Sequence, residues 1–432
     1  MIRSELLTLP RERGEVQRVQ LVRWDDWGAL RFLRGGGGLA PLRETAQIYR
    51  RFLIPAAPWI FGQLLLLTLP KGGEDELRAA AETLRHGLRL RRGRPDFLDE
   101  KTEALWKELS RAGCLELVRG KLPFQRVLPV GGDNFLLSER EEGARLKVNA
   151  SFFLFDPFDC ATRYDTIGTP FGLAVQNGEV LSPPLYGREA LLVRRGGRVS
   201  VEAPALEDLR VQIGRTNVRP GREWPVYTRP AFKKTPRGGC DHVIVGRRLI
   251  DVVEDGGCEV PASGFVLRLP RQVGEPGAEV SYSGMEDVLF GIQAGNSLVH
   301  EGKKTEGFVS SFWNVRQPLK TPPYPPSLYP LDYEHARAAR IALGADAEGK
   351  PMLLWAEGAA KIGHRPGEDS CGASLSEFSD ICARLGMTEG VNLDGGGSAQ
   401  ILLNGRRALQ ISDRDDEGQE QERAIPLGLM LE

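Results

Sequence analysis

The strongest constraint on this chain is a set of turns that only closely paired antiparallel strands can use. Asn177-Gly178 lies between the apolar runs 172–175 and 179–181, and Asn404-Gly405 lies between 401–403 and 406–411. Asn-Gly favours a type I′ hairpin because that turn needs positive φ at both central residues. Leu191 to Arg194 and Arg198 to Val201, around Gly196-Gly197, predict a third hairpin. Glycine totals 51 of 432 residues, well above the usual share of about 7%, and its lack of a collagen-like period assigns the excess to turns. From about Leu122 onward the sequence therefore reads as β-rich.

The first 120 residues read differently. Gly35 to Gly38 forms a four-glycine hinge, and Glu74 to Leu90 and Asp99 to Arg111 carry apolar residues at helical spacing. Arg85, Arg89, Arg91, Arg92 and Arg94 read as a solvated helix face. Phe52 to Leu69 is apolar over a length near the membrane-spanning minimum, but Pro55, Pro58, Gly62 and Gln63 interrupt it, so a buried segment is favoured over a membrane-embedded one. The expected fold class is α+β: a mixed or antiparallel β-sheet core with flanking helices, spanning 122–432, preceded by a mainly helical N-terminal module over 1–121.

Charge narrows the partners. Lys plus Arg number 57 and Asp plus Glu 58, so no global field draws the chain to nucleic acid or an anionic membrane. The six cysteines, at 114, 160, 240, 258, 371 and 382, form no C-x-x-C pair, which excludes a zinc-finger reading. The residues from Met1 to Val16 lack an apolar secretory core, so free thiols in the cytoplasm are expected. Asp156, Asp159 and Asp165 lack the ligand spacing of a calcium loop, and no cofactor is expected. His335 and His364 read as structural histidines, and the proline-rich stretch 317–330 as an extended loop.

The residues that carry chemistry lie near the C-terminus. Ser374 and Glu377 form a capping box, Leu375, Phe378, Ile381, Cys382 and Leu385 make an apolar stripe, and Gly386 supplies the stop. The chain then enters Gly390-Val391-Asn392-Leu393-Asp394, followed by Gly395-Gly396-Gly397-Ser398. In a strand, Asn392 and Asp394 face one side and Val391 and Leu393 the other. Three glycines after an acid let another molecule approach the backbone, and their N–H groups with Ser398 can form an anion nest. A tight bend capped by its own aspartate is the bland alternative.

The stretch from Ser374 to Gly405, with Asn392-Leu393-Asp394-Gly395-Gly396-Gly397-Ser398 and Asn404-Gly405, resembles the signature of phosphodiester glycosidases. Collinear matches support the resemblance: Val148-Asn149-Ala150-Ser151-Phe152-Phe153, Thr169-Pro170-Phe171-Gly172 through Val180, Gly291 to Gly295 with Leu298 to Lys303, Arg340 to Gly344, and Glu422-Arg423-Ala424-Ile425-Pro426. Ala339, Ile341 and Asn296 depart from the family pattern, which has proline, threonine and proline there. The resemblance implies a hydrolase that cleaves or rearranges a glycosyl 1-phosphodiester, with a small-molecule or polysaccharide sugar-phosphate substrate. On that reading Asp394 is nucleophile or base, Arg340 holds the phosphate and Glu422 is a second acid or base. Asn149, Phe153, Gly172, Gly295, Asn392, Gly395, Gly396, Ser398 and Arg423 then line the substrate. Phe152 and Phe155 are further aromatics, with Phe153 and Phe155 at core spacing. Two other classes remain: a non-catalytic glycan-binding or assembly protein of the same fold, and a nucleotide-binding phosphotransferase, which the lack of G-x-x-x-x-G-K-[ST] disfavours.

Overall fold

The computed structural model describes residues 1–35, 54–55, 63–67, 79–80, 83–84, 87–91, 94–112, 115–119, 134–154, 162–165, 168–306, 308, 337–359, 365, 367–414 and 418–432. The glycines from 36 to 38, Phe155, Asp156, Asp159, the proline-rich stretch 317–330, His335 and His364 lie outside the described residues.

The local turn chemistry works as the sequence predicts. Strands Ala174–Gln176 and Glu179–Ser182 meet at Asn177 (φ 53) and Gly178 (φ 88), and Ile401–Leu403 and Arg406–Arg407 meet at Asn404 (φ 47) and Gly405 (φ 75). Ala190–Arg194 and Val199–Glu202 form the third hairpin around Gly196 and Gly197. The helix Leu375–Arg384 starts at Ser374, whose side chain accepts from the Glu377 N–H while the Glu377 carboxylate accepts from the Ser374 N–H. Such a cap contributes about 1 kcal/mol.

Two sheets build the centre. One has seven strands in the order Arg3–Pro10, Val16–Arg23, Pro351–Ala356, Arg340–Ala345, Glu389–Asn392, Ser297–His300 and Lys303–Lys304. The other has five, in the order Arg406–Arg407, Ile401–Leu403, Leu146–Asn149, Leu427–Leu431 and Arg31–Arg34. Strand alternation sorts the side chains: Ile341, Leu343, Leu353, Trp355, Val391 and Leu393 enter a core shared with Val148, Ile401 and Leu429 of the second sheet. The opposite face, with Ala342, Leu354 and Ala356, packs against Leu375, Phe378, Ile381 and Cys382 of the helix. Residues 210–283 carry two smaller sheets with a separate apolar cluster around Val211, Ile244, Phe265 and Leu267.

The expected α+β class with a mainly helical module over 1–121 is corrected here. The chain is predominantly β, every pairing between named strands is antiparallel, and the N-terminal part is not mainly helical. The helix expected over 99–111 is present as Glu100–Arg111, N-capped by Asp99. However, Leu88–Arg91 at the end of the second expected helix is a strand paired with Arg94–Phe97. The apolar stretch 52–69 contains the strands Ile54–Pro55 and Gln63–Leu67. Among the described residues no helix is long and apolar enough to cross a membrane.

Residues 3–34 supply three strands, and Val16–Arg23 pairs with Pro351–Ala356 while Arg31–Arg34 pairs with Leu427–Leu431. Tertiary pairing thus sets the conformation of this segment, since its partners lie more than 300 residues away. Removal of residues 1–35 strips the outer strands from one side of each central sheet, which leaves the N–H and C=O rows of Pro351–Ala356 and Leu427–Leu431 unpaired beside apolar side chains. The shortened chain is expected to lose its near-ultraviolet circular dichroism and to bind an apolar dye; an unchanged melting temperature would refute this account.

Candidate active site

The register of the seven-stranded sheet assembles the site. Ala342 lies opposite Asn392, and beyond that pair the Leu393 N–H donates to Ile341 O at 2.8 Å. Two residues further along, antiparallel geometry sets Arg340 opposite Asp394 on one face. Arg340 is buried, its Nε–H donates to Ala373 O at 3.1 Å, and its Cδ lies 3.8 Å from the point a Cβ on Gly395 would occupy.

Asp394 is fixed from the other sheet. Its N–H donates to Ala150 O at 2.9 Å, and its C=O accepts from Asn149 Nδ2 at 2.6 Å. Asn149 Oδ1 accepts from the Gln400 N–H at 3.0 Å, so this fully buried amide binds both ends of the turn. Asn149, expected to hold sugar hydroxyls, thus bonds to the backbone of the Asp394 segment.

The turn itself departs from an open nest. The Gly396 N–H donates to Ala339 O at 2.8 Å and the Ser398 N–H to Gly395 O at 3.1 Å. The Gly395 N–H bonds to the Asp394 carboxylate. These three amides are committed to the chain.

Side chains converge across Gly397. Arg423 donates Nε–H to Asp413 Oδ2 at 2.9 Å and approaches the same oxygen with Nη2 at 2.7 Å, while its Nη1 reaches Ser398 Oγ at 3.4 Å. A Cβ at 397 would stand 2.2 Å from Asp413 Oδ1 and 2.3 Å from Arg423 Nη2. Only glycine permits this approach. Asp394 keeps part of its surface, but the protein around it is dense, and burial pushes its carboxyl up to about 7. The Ser398 hydroxyl, the Arg423 charge and the Gly395 N–H oppose that rise, and the Asp413 charge adds to it.

Asp394, Arg340, Gly395, Gly396, Ser398 and Arg423 are therefore gathered in one place, with Asn392 two residues behind Asp394 on the same face. Gly295 borders Asn392, since a Cβ there would lie 2.8 Å from Asn392 Nδ2 and 3.0 Å from the Phe152 ring. Three expected residues have other employment. Glu422 accepts from the Ser138 N–H at 2.8 Å and pairs with Arg407 at 3.2 Å. Phe153 packs in a core cluster with Leu33, Phe135, Leu137, Leu402 and Ile425. Gly172 (φ +80) turns the chain over Gln293, whose Oε1 accepts from the N–H groups of Leu173 and Leu185. Asp413 was not legible as a site residue: it sits in the charge run 413–417, which reads as solvated loop. Asp165 is buried and accepts from the N–H groups of Ala262 and Thr162, and among the described residues no cluster of His, Cys, Asp or Glu has metal-site geometry.

The model of the phosphodiester glycosidase family matches residues 265–432, which carry Arg340, Asp394, Ser398, Asp413 and Arg423. A stretch of 81 residues is 33% identical to mouse N-acetylglucosamine-1-phosphodiester alpha-N-acetylglucosaminidase; it spans 19% of this chain and 14% of that protein. Three solved structures align over the full length of this chain. A hypothetical protein from Synechocystis has a TM-score of 0.45 at 16% identity, with 62% of that chain covered. A putative exported protein from Burkholderia pseudomallei has 0.43 at 16%, with 96% covered. The zebrafish N-acetylglucosamine-1-phosphodiester alpha-N-acetylglucosaminidase catalytic domain has 0.38 at 12%, with 82% covered.

The site around Asp394 stores an electrostatic cost with a defined pH signature. Asp394 binds its proton more tightly folded than unfolded, so stability from this group is fully present below about pH 4 and declines as pH rises through about 7. Asp394→Asn is therefore expected to be more stable than the parent at pH 8. The difference should shrink on acidification by up to about 1.4 kcal/mol per pH unit. Denaturant titrations at pH 5 and pH 8 measure it, and an equal difference at both would show that burial does not govern this carboxyl.

Proposed function

We propose that the chain is a glycosidase-type hydrolase that cleaves a glycosyl 1-phosphodiester, with Asp394 as the base and Arg340 as the phosphate ligand. The observation that carries the reading is the convergence of Asp394, Ser398 and Arg423 on the glycine turn beside Arg340. The family match over 265–432 supports the same class of linkage.

Cleavage between C1 and the phosphate oxygen releases a phosphate monoester, a weak base, so the demand for a strong general acid is small. Water needs activation instead. Asp394 accepts a proton from water as the water oxygen bonds to C1; the C1–O bond breaks and its electron pair leaves on the phosphate. A base whose carboxyl titrates near 7 suits this step because it combines proton affinity with a large ionised fraction at neutral pH. Arg340 offers a planar guanidinium matched to phosphate oxygens. Arg423, held by Asp413, stabilises the carboxylate through Ser398 and by its own charge.

The test uses an activated sugar 1-phosphodiester. Asp394→Asn is expected to lower kcat/KM by roughly 10² to 10⁴-fold. Arg340→Lys should raise KM more than it lowers kcat. In the parent, kcat/KM should rise with pH to a plateau above about 7, because the base must be ionised. Parental turnover by Asp394→Asn would sink the assignment, and a rate that falls above pH 7 would make Asp394 an acid. Saccharide binding without turnover would favour the glycan-binding alternative.

A further inference from the structure

We propose that Asn296 and Asn392 form a subsite that reads one hydroxyl of the sugar held beside Asp394, with Asn296 as the specificity-determining donor. The inference rests on the sugar substrate proposed above.

The backbone brings the two amides together. The Gly295 N–H donates to Asn392 O at 2.6 Å and the Asn392 N–H donates to Asn296 O at 2.9 Å, so two residues oppose one. That is the pattern of a β-bulge, which re-aims a side chain next to a site. A Cβ at Gly295 would stand 2.8 Å from Asn392 Nδ2, so the glycine is what lets the Asn392 amide pack against this backbone.

The polar atoms are left in a telling state. Asn296 is 7% exposed and Asn392 1%. Asn296 Oδ1 accepts from Nη2 of the fully buried Arg188 at 3.1 Å, which fixes the orientation of the amide and turns Nδ2 away from the arginine. Among the described residues, Asn296 Nδ2 is buried without a hydrogen-bond partner, and so is Asn392 Oδ1. Ser151 Oγ and Ser297 Oγ, on residues next to Phe152 and Asn296, are in the same condition. A stranded buried donor or acceptor costs about 1–3 kcal/mol, so a fold keeps such a pair where a ligand completes it. A donor and an acceptor on two residues whose backbones bond to each other suit a hydroxyl, which accepts from one and donates to the other. Asn392 projects from the same strand face as Asp394, two residues away, which sets that hydroxyl near the reacting carbon.

The test measures binding of methyl glycosides of glucose, mannose, galactose and N-acetylglucosamine to the full chain by titration calorimetry, then the monodeoxy analogues of the tightest. One deoxy analogue is expected to bind roughly tenfold more weakly, equivalent to about 1.4 kcal/mol. Asn296→Asp keeps an acceptor toward Arg188 and removes the donor; it should weaken the parent glycoside equally, and deoxygenation at that position should then cost nothing more. Asn296→Ala, checked by its melting temperature, is the second variant, and the deoxy series on the unmodified chain holds even if both variants unfold. Failure of every glycoside to bind overturns the subsite, as does affinity indifferent to all deoxy positions or to Asn296. Turnover of a sugar 1-phosphodiester is measured in parallel. Asn296-dependent binding without turnover defeats the hydrolase reading and leaves the subsite; Asp394-dependent turnover indifferent to Asn296 defeats the subsite alone.

Discussion

The geometry of the site depends on one buried amide. Asn149 donates to the carbonyl of Asp394 and accepts from the N–H of Gln400, clamping the glycine turn to a strand of the second sheet. Each such bond is worth about 1 kcal/mol net, and losing one partner in the interior costs more because the other is stranded. Arg340 belongs to the first sheet, and Asp394, two residues past a strand of that same sheet, has its backbone bonded to Ala150 and Asn149 of the second. Side chains at that junction are held by backbone contacts on both sides, which suits a reaction that needs little motion of the protein.

The turn shows how opposing effects are set against each other. Burial raises the proton affinity of Asp394, and a hydroxyl, an N–H and a guanidinium lower it. Asp413 holds Arg423 and adds negative potential. Deleting the arginine would leave the Asp394 and Asp413 charges without the guanidinium between them, and deleting Asp413 would remove the carboxylate that accepts from Arg423 Nε–H. The four groups act as a unit, and the glycine at 397 is what lets them meet.

What was legible in the sequence was local. The Asn-Gly hairpins, the Ser374–Glu377 box and the two-sided pattern of residues 391–394 depend on neighbours within a few positions, and the structure contains all three. Pairings across hundreds of residues were not legible, which is why residues 3–34 gave no sign of belonging to the central sheets. The same limit hid the backbone-bonding role of Asn149, whose partners lie 245 and 251 residues away. Glu422 shows the converse: a motif position draws attention to a carboxylate, and the fold gives it to Ser138 and Arg407.

The interleaving of early and late strands has a temporal consequence. Phe32 aligns with Leu429 and Leu21 with Leu354, so neither central sheet can close until strands more than 300 residues downstream have left the ribosome. Long-range antiparallel pairing of this kind forms slowly because distant segments must find each other before any contact repays the loss of chain freedom. During that interval the strand Val16–Arg23, rich in valine and buried on both faces once folded, waits without its neighbour. The chain thus passes through synthesis with exposed edges that self-association can exploit, and its yield in a cell is governed by how well those edges are shielded until residues 427–431 arrive.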